Sequence, residues 1–251
     1  MLKGSELKRQ KFLDALKNSI ILGDSLEVMK KLPKGSVDLI ITSPPYNLDE
    51  ELDYGEYVKW QRANLRQMMR LLTDDGAIFY SQIWRVQKGL IQNRNEIVKG
   101  FPVRQVIVWQ KAGGVNFNPG YFLPTYEVIY LIAKPDFCLA FGANGLGDVW
   151  KIAQERRNPH PNPQPVELTD RIVSSTSAKM VLDPFAGSGT AAISALHYKR
   201  DYILIDNSPK YCEMAEKRID GMDWGGYDDT LYQSSFDDLE EYSDDKEISG
   251  R

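Results

Sequence analysis

The chain has 251 residues, 42% hydrophobic and 26% charged, with a formal net charge of −4. That length buries a substantial core in one α/β domain, whereas two domains would each be small. There is no apolar run of about 18 residues, and MLKGSELKRQ lacks the apolar core of a secretion signal, so no membrane partner and a cytoplasmic location are expected.

Cys138 and Cys212 are too few for a disulfide framework, and His160 and His197 add no ligand spacing, so no metal is expected. Charge is divided unevenly. From Asp228 to Arg251 there are nine acidic and two basic residues, a net −7, which leaves +3 on residues 1–227. The body is therefore mildly basic, and 228–251 reads as an acidic, disordered tail.

In chain order, Ser5 to Lys17 is predicted helical and leads into a strand, Ser19 to Leu22, closed by Gly23-Asp24. Ser25 to Leu32 forms a short helix ended by Pro33, and Val37 to Thr42 is a second strand stopped by Pro44-Pro45. After an acidic loop from Asn47 to Gly55, Glu56 to Leu72 is helical, with Tyr57, Trp60, Leu65, Met68, Met69 and Leu72 on one side. Lys59, Arg62, Arg66 and Arg70 align on another face and read as a solvated stripe.

Gly76 to Ser81 is a further strand and Val86 to Lys99 a helix. Val103 to Gln110 and Glu127 to Ala133 pair as an antiparallel hairpin at one sheet edge, around a loop with Gly113-Gly114 and Asn118-Pro119-Gly120. Phe137 to Asn158 carries no clear period. Met180 to Leu182 is a buried strand, followed by a helix from Thr190 to Tyr198, a strand from Tyr202 to Ile205 and a helix from Lys210 to Ile219. The alternation predicts an α/β fold, a doubly wound and mostly parallel sheet of seven strands.

Two loops follow buried strands and would emerge at the carboxyl edge, where ligands bind in such sheets. One is Asp183-Pro184-Phe185-Ala186-Gly187-Ser188-Gly189-Thr190, whose glycines permit close backbone approach and whose downstream helix favours a carboxylate at its amino end. About 20 residues on, Asp206 ends a strand, where a βαβ nucleotide fold sets an acid on ribose hydroxyls. The other loop is Ser43-Pro44-Pro45-Tyr46, in which two prolines remove two N–H donors and leave carbonyl acceptors beside a hydroxyl and an aromatic ring.

TSPPYN at 42–47 and DPFAGSGT at 183–190 resemble the catalytic and cofactor motifs of amino-group DNA methyltransferases, in the order of the permuted beta group. The resemblance runs from about Ile20 to Ile219 and implies a seven-stranded, Rossmann-like methyltransferase sheet and S-adenosylmethionine as cofactor. It implies Ser43, Pro44, Pro45 and Tyr46 as the catalytic tetrad. On the cofactor it implies the whole of Asp183 to Thr190, with Asp206 and the neighbouring Asn207 at the ribose. Gly23-Asp24-Ser25-Leu26 is similar to the segment at the adenine side, giving Asp24 and Ser25, and HPNPQPVEL adds His160, Asn162 and Gln164. The family usually carries Glu where this chain has Asp206; the shorter arm still reaches a hydroxyl.

In this reading Ser43 and a carbonyl accept the two hydrogens of an exocyclic amine while Tyr46 stacks on the base. Positioning and electrostatics then do the work, on a nucleotide swung out of double-stranded DNA. Serine at the first tetrad position favours cytosine N4, whereas Asn47 is frequent among adenine N6 enzymes. The resemblance also admits a homodimer and a cognate restriction endonuclease as partners. A small target-recognition insert is expected at about 135–158, with Arg104, Lys111 and the asparagines of Val115 to Pro119 nearby. An RNA or protein-amide methyltransferase is disfavoured by the motif order, and an inactive nucleotide-binding module by the intact tetrad.

Overall fold

A computed structural model describes residues 11–47, 52–87, 90–111, 115–155, 158, 160 and 163–221. Residues 11–16 form the described part of the first predicted helix; the acidic tail, Asn162 and Gly113-Gly114 lie outside the described residues.

Strand β1 (Ser19–Leu22) runs into α1 (Ser25–Lys31), whose N-cap Asp24 accepts from the Glu27 amide at 3.0 Å. Glu27 in the first turn and Lys30 and Lys31 in the last complement the helix dipole. Strand β2 (Val37–Thr42) precedes α2 (Tyr54–Leu71), capped by Asp53 on the amides of Gly55 and Glu56. The face of α2 that turns inward carries Tyr57, Gln61, Asn64, Leu65, Met68 and Leu71 at helical spacing. Two of these, Gln61 and Asn64, are polar, and their partners lie at the site described below.

Strand β3 (Leu72–Gln82) follows directly. The helix expected over Val86 to Lys99 is instead a two-stranded ribbon, β4 (Arg85–Gln87) and β5 (Leu90–Gln92), followed by a single turn, α3 (Asn95–Val98). Apolar residues at 86, 90 and 91 suit either period, and Gly89 between them disfavours helix and favours a turn. Strands β6 (Val103–Gln110) and β7 (Tyr126–Ala133) form the expected antiparallel pair, with Val106 opposite Tyr130.

The segment without a clear period yields another strand, β8 (Val149–Lys151), which joins β6 in parallel and buries Trp150. The remaining elements are α4 (Val166–Ser174), β9 (Met180–Asp183), α5 (Thr190–His197), β10 (Asp201–Asp206) and α6 (Pro209–Asp220).

The main sheet has eight strands in the order β1-β10-β9-β2-β3-β7-β6-β8, against seven expected. The extra strand is β8, too short to show a period of two. Only β7 runs against its neighbours in this sheet. The carboxyl ends of β2, β9 and β10 and the β6–β7 connection therefore share one rim.

Helices cover both faces. On one, α4 and α5 bring Leu168, Ile172, Ala191 and Ala195 against Leu39, Phe79, Leu131 and Leu204. On the other, α1 and α2 bring Met29, Leu65 and Met68 against Ile40, Ile78, Ile132 and Ile203. Each aliphatic side chain buried this way contributes about 1.5–3 kcal/mol. The basic stripe of α2 is partly internal: Arg62 donates to the carbonyls of Glu96, Ile97 and Lys99, and Arg70 to those of Met29 and Leu32. Those two arginines tie α2 to its neighbours, and only Lys59 and Arg66 of the stripe are exposed.

Candidate active site

The two loops singled out in the sequence meet because their strands are neighbours. Leu39 and Ile40 of β2 pair with Val181 and Leu182 of β9, and one step further the Thr42 hydroxyl donates to Asp183 Oδ1 at 2.9 Å. Thr42 precedes Ser43 and Asp183 opens the glycine-rich loop, so this buried bond joins the roots of both. Burial raises the Asp183 carboxyl to about 7, against the opposing effect of hydrogen bonds from the Phe185 amide and Thr42.

In the first loop, the Pro45 carbonyl accepts from Tyr57 Oη at 3.1 Å and from Gln61 Nε2 at 3.1 Å. Gln61 also donates to Tyr57 Oη and accepts from Tyr80, so a buried polar cluster on α2 and β3 fixes the proline pair. Among the described residues no donor reaches the Pro44 carbonyl. Ser43 Oγ lies 2.7 Å from Tyr46 Oη, which donates to Glu127 Oε2 at 2.9 Å, and Glu127 is ion-paired with Lys111. Tyr46, expected to stack on a ligand, is 6% exposed, its ring enclosed and its hydroxyl held by Glu127. Burial first, then the Glu127 charge, push its phenol well above the ordinary value, so it stays protonated at neutral pH.

In the second loop, Gly187 has φ +51° and Gly189 φ +78°, both left-handed. A Cβ on Gly187 would lie 3.1 Å from His160 Nε2, and one on Gly189 2.8 Å from the Ala215 Cβ. The carboxylate of Asp206 accepts from the Gly187 amide at 2.8 Å and from the Ser208 amide at 2.9 Å. Each oxygen keeps a lone pair for a further donor. Helix α5 starts at Gly189 with no side-chain cap, leaving first-turn amides for a ligand carboxylate. This cradle, an acid on one wall and uncapped amides at its floor, fits the ribose and amino-acid ends of S-adenosylmethionine.

The other expected residues distribute around it. Gly23 donates to the Asp206 carbonyl at 2.9 Å, which sets Asp24 beside the ribose-side acid, while Asp24 also caps α1. Ser25 is buried and donates to Asn64 Oδ1 at 3.0 Å, so it anchors its loop to α2. His160 packs against Tyr211 with ring centres 4.7 Å apart, and Gln164 donates to Ser81 Oγ at 2.7 Å. Asn207 is exposed beyond Asp206, and Asn162 lies outside the described residues.

Sequence reasoning missed the supports. Arg218 of α6 donates to the carbonyl and hydroxyl of Ser188 and to Thr190 Oγ1, and its other arm pairs with Glu155. Asn158 donates to the same Ser188 hydroxyl at 3.0 Å. Tyr57, Gln61 and Asn64 hold the first loop. The available signal was two polar residues, Gln61 and Asn64, in the inward stripe of a helix. Arg104 and Lys111, near the expected insert, are engaged: Arg104 with the carbonyls of Lys134, Pro135 and Phe137, Lys111 with Glu127.

Comparison with known proteins gives consistent findings. The family model described as DNA methylase matches residues 37–217. The type II methyltransferase M.HpaI of Haemophilus parainfluenzae is 29% identical over 246 residues, covering 83% of this chain and 76% of the relative. The DNA adenine methyltransferase YhdJ of Escherichia coli is 27% identical, covering 80% of this chain and 82% of its own. A DNA modification methylase of Thermus thermophilus, TTHA0409, in a crystal structure complexed with S-adenosyl-L-methionine, aligns with TM-score 0.63 and 27% identity over 79% of this chain and 91% of that one.

Proposed function

The chain belongs to the DNA methylase family and is an S-adenosylmethionine-dependent DNA amino-methyltransferase; on that premise we propose that it methylates the N4 nitrogen of cytosine in double-stranded DNA. The observation that carries the reading is the pair of acceptors at the rim, Ser43 Oγ and the Pro44 carbonyl, rooted by the Thr42–Asp183 bond beside the cofactor loop.

An exocyclic amine is a poor nucleophile because its lone pair is delocalised into the ring. Two acceptors that hold its two hydrogens favour a pyramidal nitrogen and aim the lone pair outward. The prolines keep those acceptors fixed, and the Pro45 carbonyl is excluded from the task because Tyr57 and Gln61 occupy it. S-adenosylmethionine supplies a methyl group on a sulfonium centre. Asp206, Gly187 and the amino end of α5 would hold it, with Asp24 and His160 at the flanks. No covalent enzyme intermediate is needed; fixed dipoles and orientation supply the rate. The amine is paired within a duplex, so the nucleotide is extruded before transfer.

A second reading, adenine N6, is supported by the similarity to YhdJ, named a DNA adenine methyltransferase, and by Asn47 after the tetrad. Incubation with a labelled methyl donor and separate DNA, RNA and protein acceptors tests the acceptor class. Mass analysis of nucleosides from the treated DNA then reads the base. N4-methylcytosine is expected; N6-methyladenine establishes the second reading, and label in RNA or protein alone overturns both.

A further inference from the structure

Glu127 is a carboxylate with 2% exposure in the wall of the site, and the methyl transfer as described does not use it. A buried ion pair such as Lys111–Glu127 seldom stabilises a fold more than apolar side chains of like size, so its presence here points to chemistry. The Glu127 carboxylate can only accept. Tyr46 has one hydroxyl proton, and it goes to Glu127 Oε2 at 2.9 Å. In the 2.7 Å contact between Ser43 and Tyr46 the serine must then be the donor. A hydroxyl free to act either way is thereby committed, its lone pairs left for the substrate.

We propose that Ser43, Tyr46 and Glu127 form a proton relay: Glu127 sets Ser43 as an acceptor through Tyr46, then receives the proton that methylation releases. The proposal rests on the amino-methyltransferase reading. In the step, the nitrogen lone pair forms the N–CH3 bond while the S–CH3 bond breaks and leaves its electron pair on sulfur. The nitrogen, now cationic, passes a proton to Ser43 Oγ. The serine proton moves to Tyr46 Oη and the tyrosine proton to Glu127, which ends as a neutral carboxylic acid and later loses its proton to water. Tyr46 stays neutral before and after. Facing the carboxylate are Lys111 from the end of β6 and Tyr46 from the first loop, with Tyr57 of α2 behind the tyrosine. Lys111 also lies 4.7 Å from the centre of the Trp109 ring, which holds the ammonium in place. Glu127 and Lys111 are positioning residues, because they act through Tyr46 and Ser43.

The test is single-turnover methylation of mixed-sequence duplex DNA by the full chain across a pH series, with saturating tritiated donor. Wild type should lose rate on the acid side as Glu127 takes a proton. Glu127→Gln still accepts from Tyr46 but cannot take the proton; its plateau should fall about 100- to 1000-fold and its acid limb vanish, with donor affinity within about twofold. Lys111→Met removes the ammonium that favours the ionised carboxylate, so its acid limb should move to higher pH. A uniform loss in Glu127→Gln with the acid limb intact means a structural role only and overturns the relay, as does a wild-type rate. Should Glu127→Gln fail to melt cooperatively, Tyr46→Phe replaces it. Its rate in H2O/D2O mixtures should lose the curvature of several moving protons, and retained curvature overturns the relay. A wild-type chain that labels no DNA defeats the functional reading instead.

Discussion

The two halves of the site are built by opposite means. The cofactor loop is shaped by backbone: left-handed glycines, amides on a carboxylate, and carbonyls gripped by Arg218. The loop at Ser43 is shaped by side chains, with Tyr57, Gln61, Tyr46 and Glu127 each contributing one directed bond. The first should therefore suffer when atoms are added and the second when atoms are removed.

The largest effect expected is on the second. Ser43→Ala deletes an acceptor that matters most as charge develops on nitrogen, so turnover should fall about 100- to 1000-fold while donor affinity, measured by calorimetry, stays within about twofold. Equal losses in both would erase the contrast between the halves. Next, Asp206→Ala removes the carboxylate that organises Gly187 and receives the ribose; donor affinity should weaken about 10- to 100-fold with a smaller change in saturated turnover.

Smaller again, Gly189→Ala forces an L residue to φ +78° with its Cβ 2.8 Å from that of Ala215, which should cost about 1–3 kcal/mol and several degrees of melting temperature. An unchanged melt would mean that the loop relaxes freely. The smallest is a slope. Asp183 titrates at about 7 in the folded chain, above its ordinary 3.8, so the native state holds the proton more tightly than the unfolded chain. Stability from this group is complete below about pH 4 and declines as pH rises through 7. Asp183→Asn, read by denaturant melts from pH 5 to 8, should flatten that decline.

Both loops, the parallel core and the β6–β7 pair could be read from the sequence because each rests on local signals: a strand of branched residues, then glycine or proline. The ribbon at β4 and β5 was misread because three apolar residues satisfy two periods at once, and only Gly89 tips the balance. Strand β8 escaped because three residues carry no period and its place is decided by β6, some 40 residues earlier. The supports Arg218, Gln61 and Glu127 were invisible for the same reason. A lone charge in a helix or strand becomes a site residue only when the fold brings a loop to it. Arg62, Arg70 and Arg104 show the converse, cations that look like surface and serve as internal ties.

Strand β1 has one neighbour in the sheet, β10, and Asn18 exchanges hydrogen bonds with Tyr202 across 184 positions of chain. As the polypeptide leaves the ribosome, its first strand must wait for almost the last. A nascent chain stalled before β10 would already hold the serine loop, yet neither Asp206 nor the seat for Asp24 would exist. The ability to bind the methyl donor is thus acquired only as synthesis nears completion.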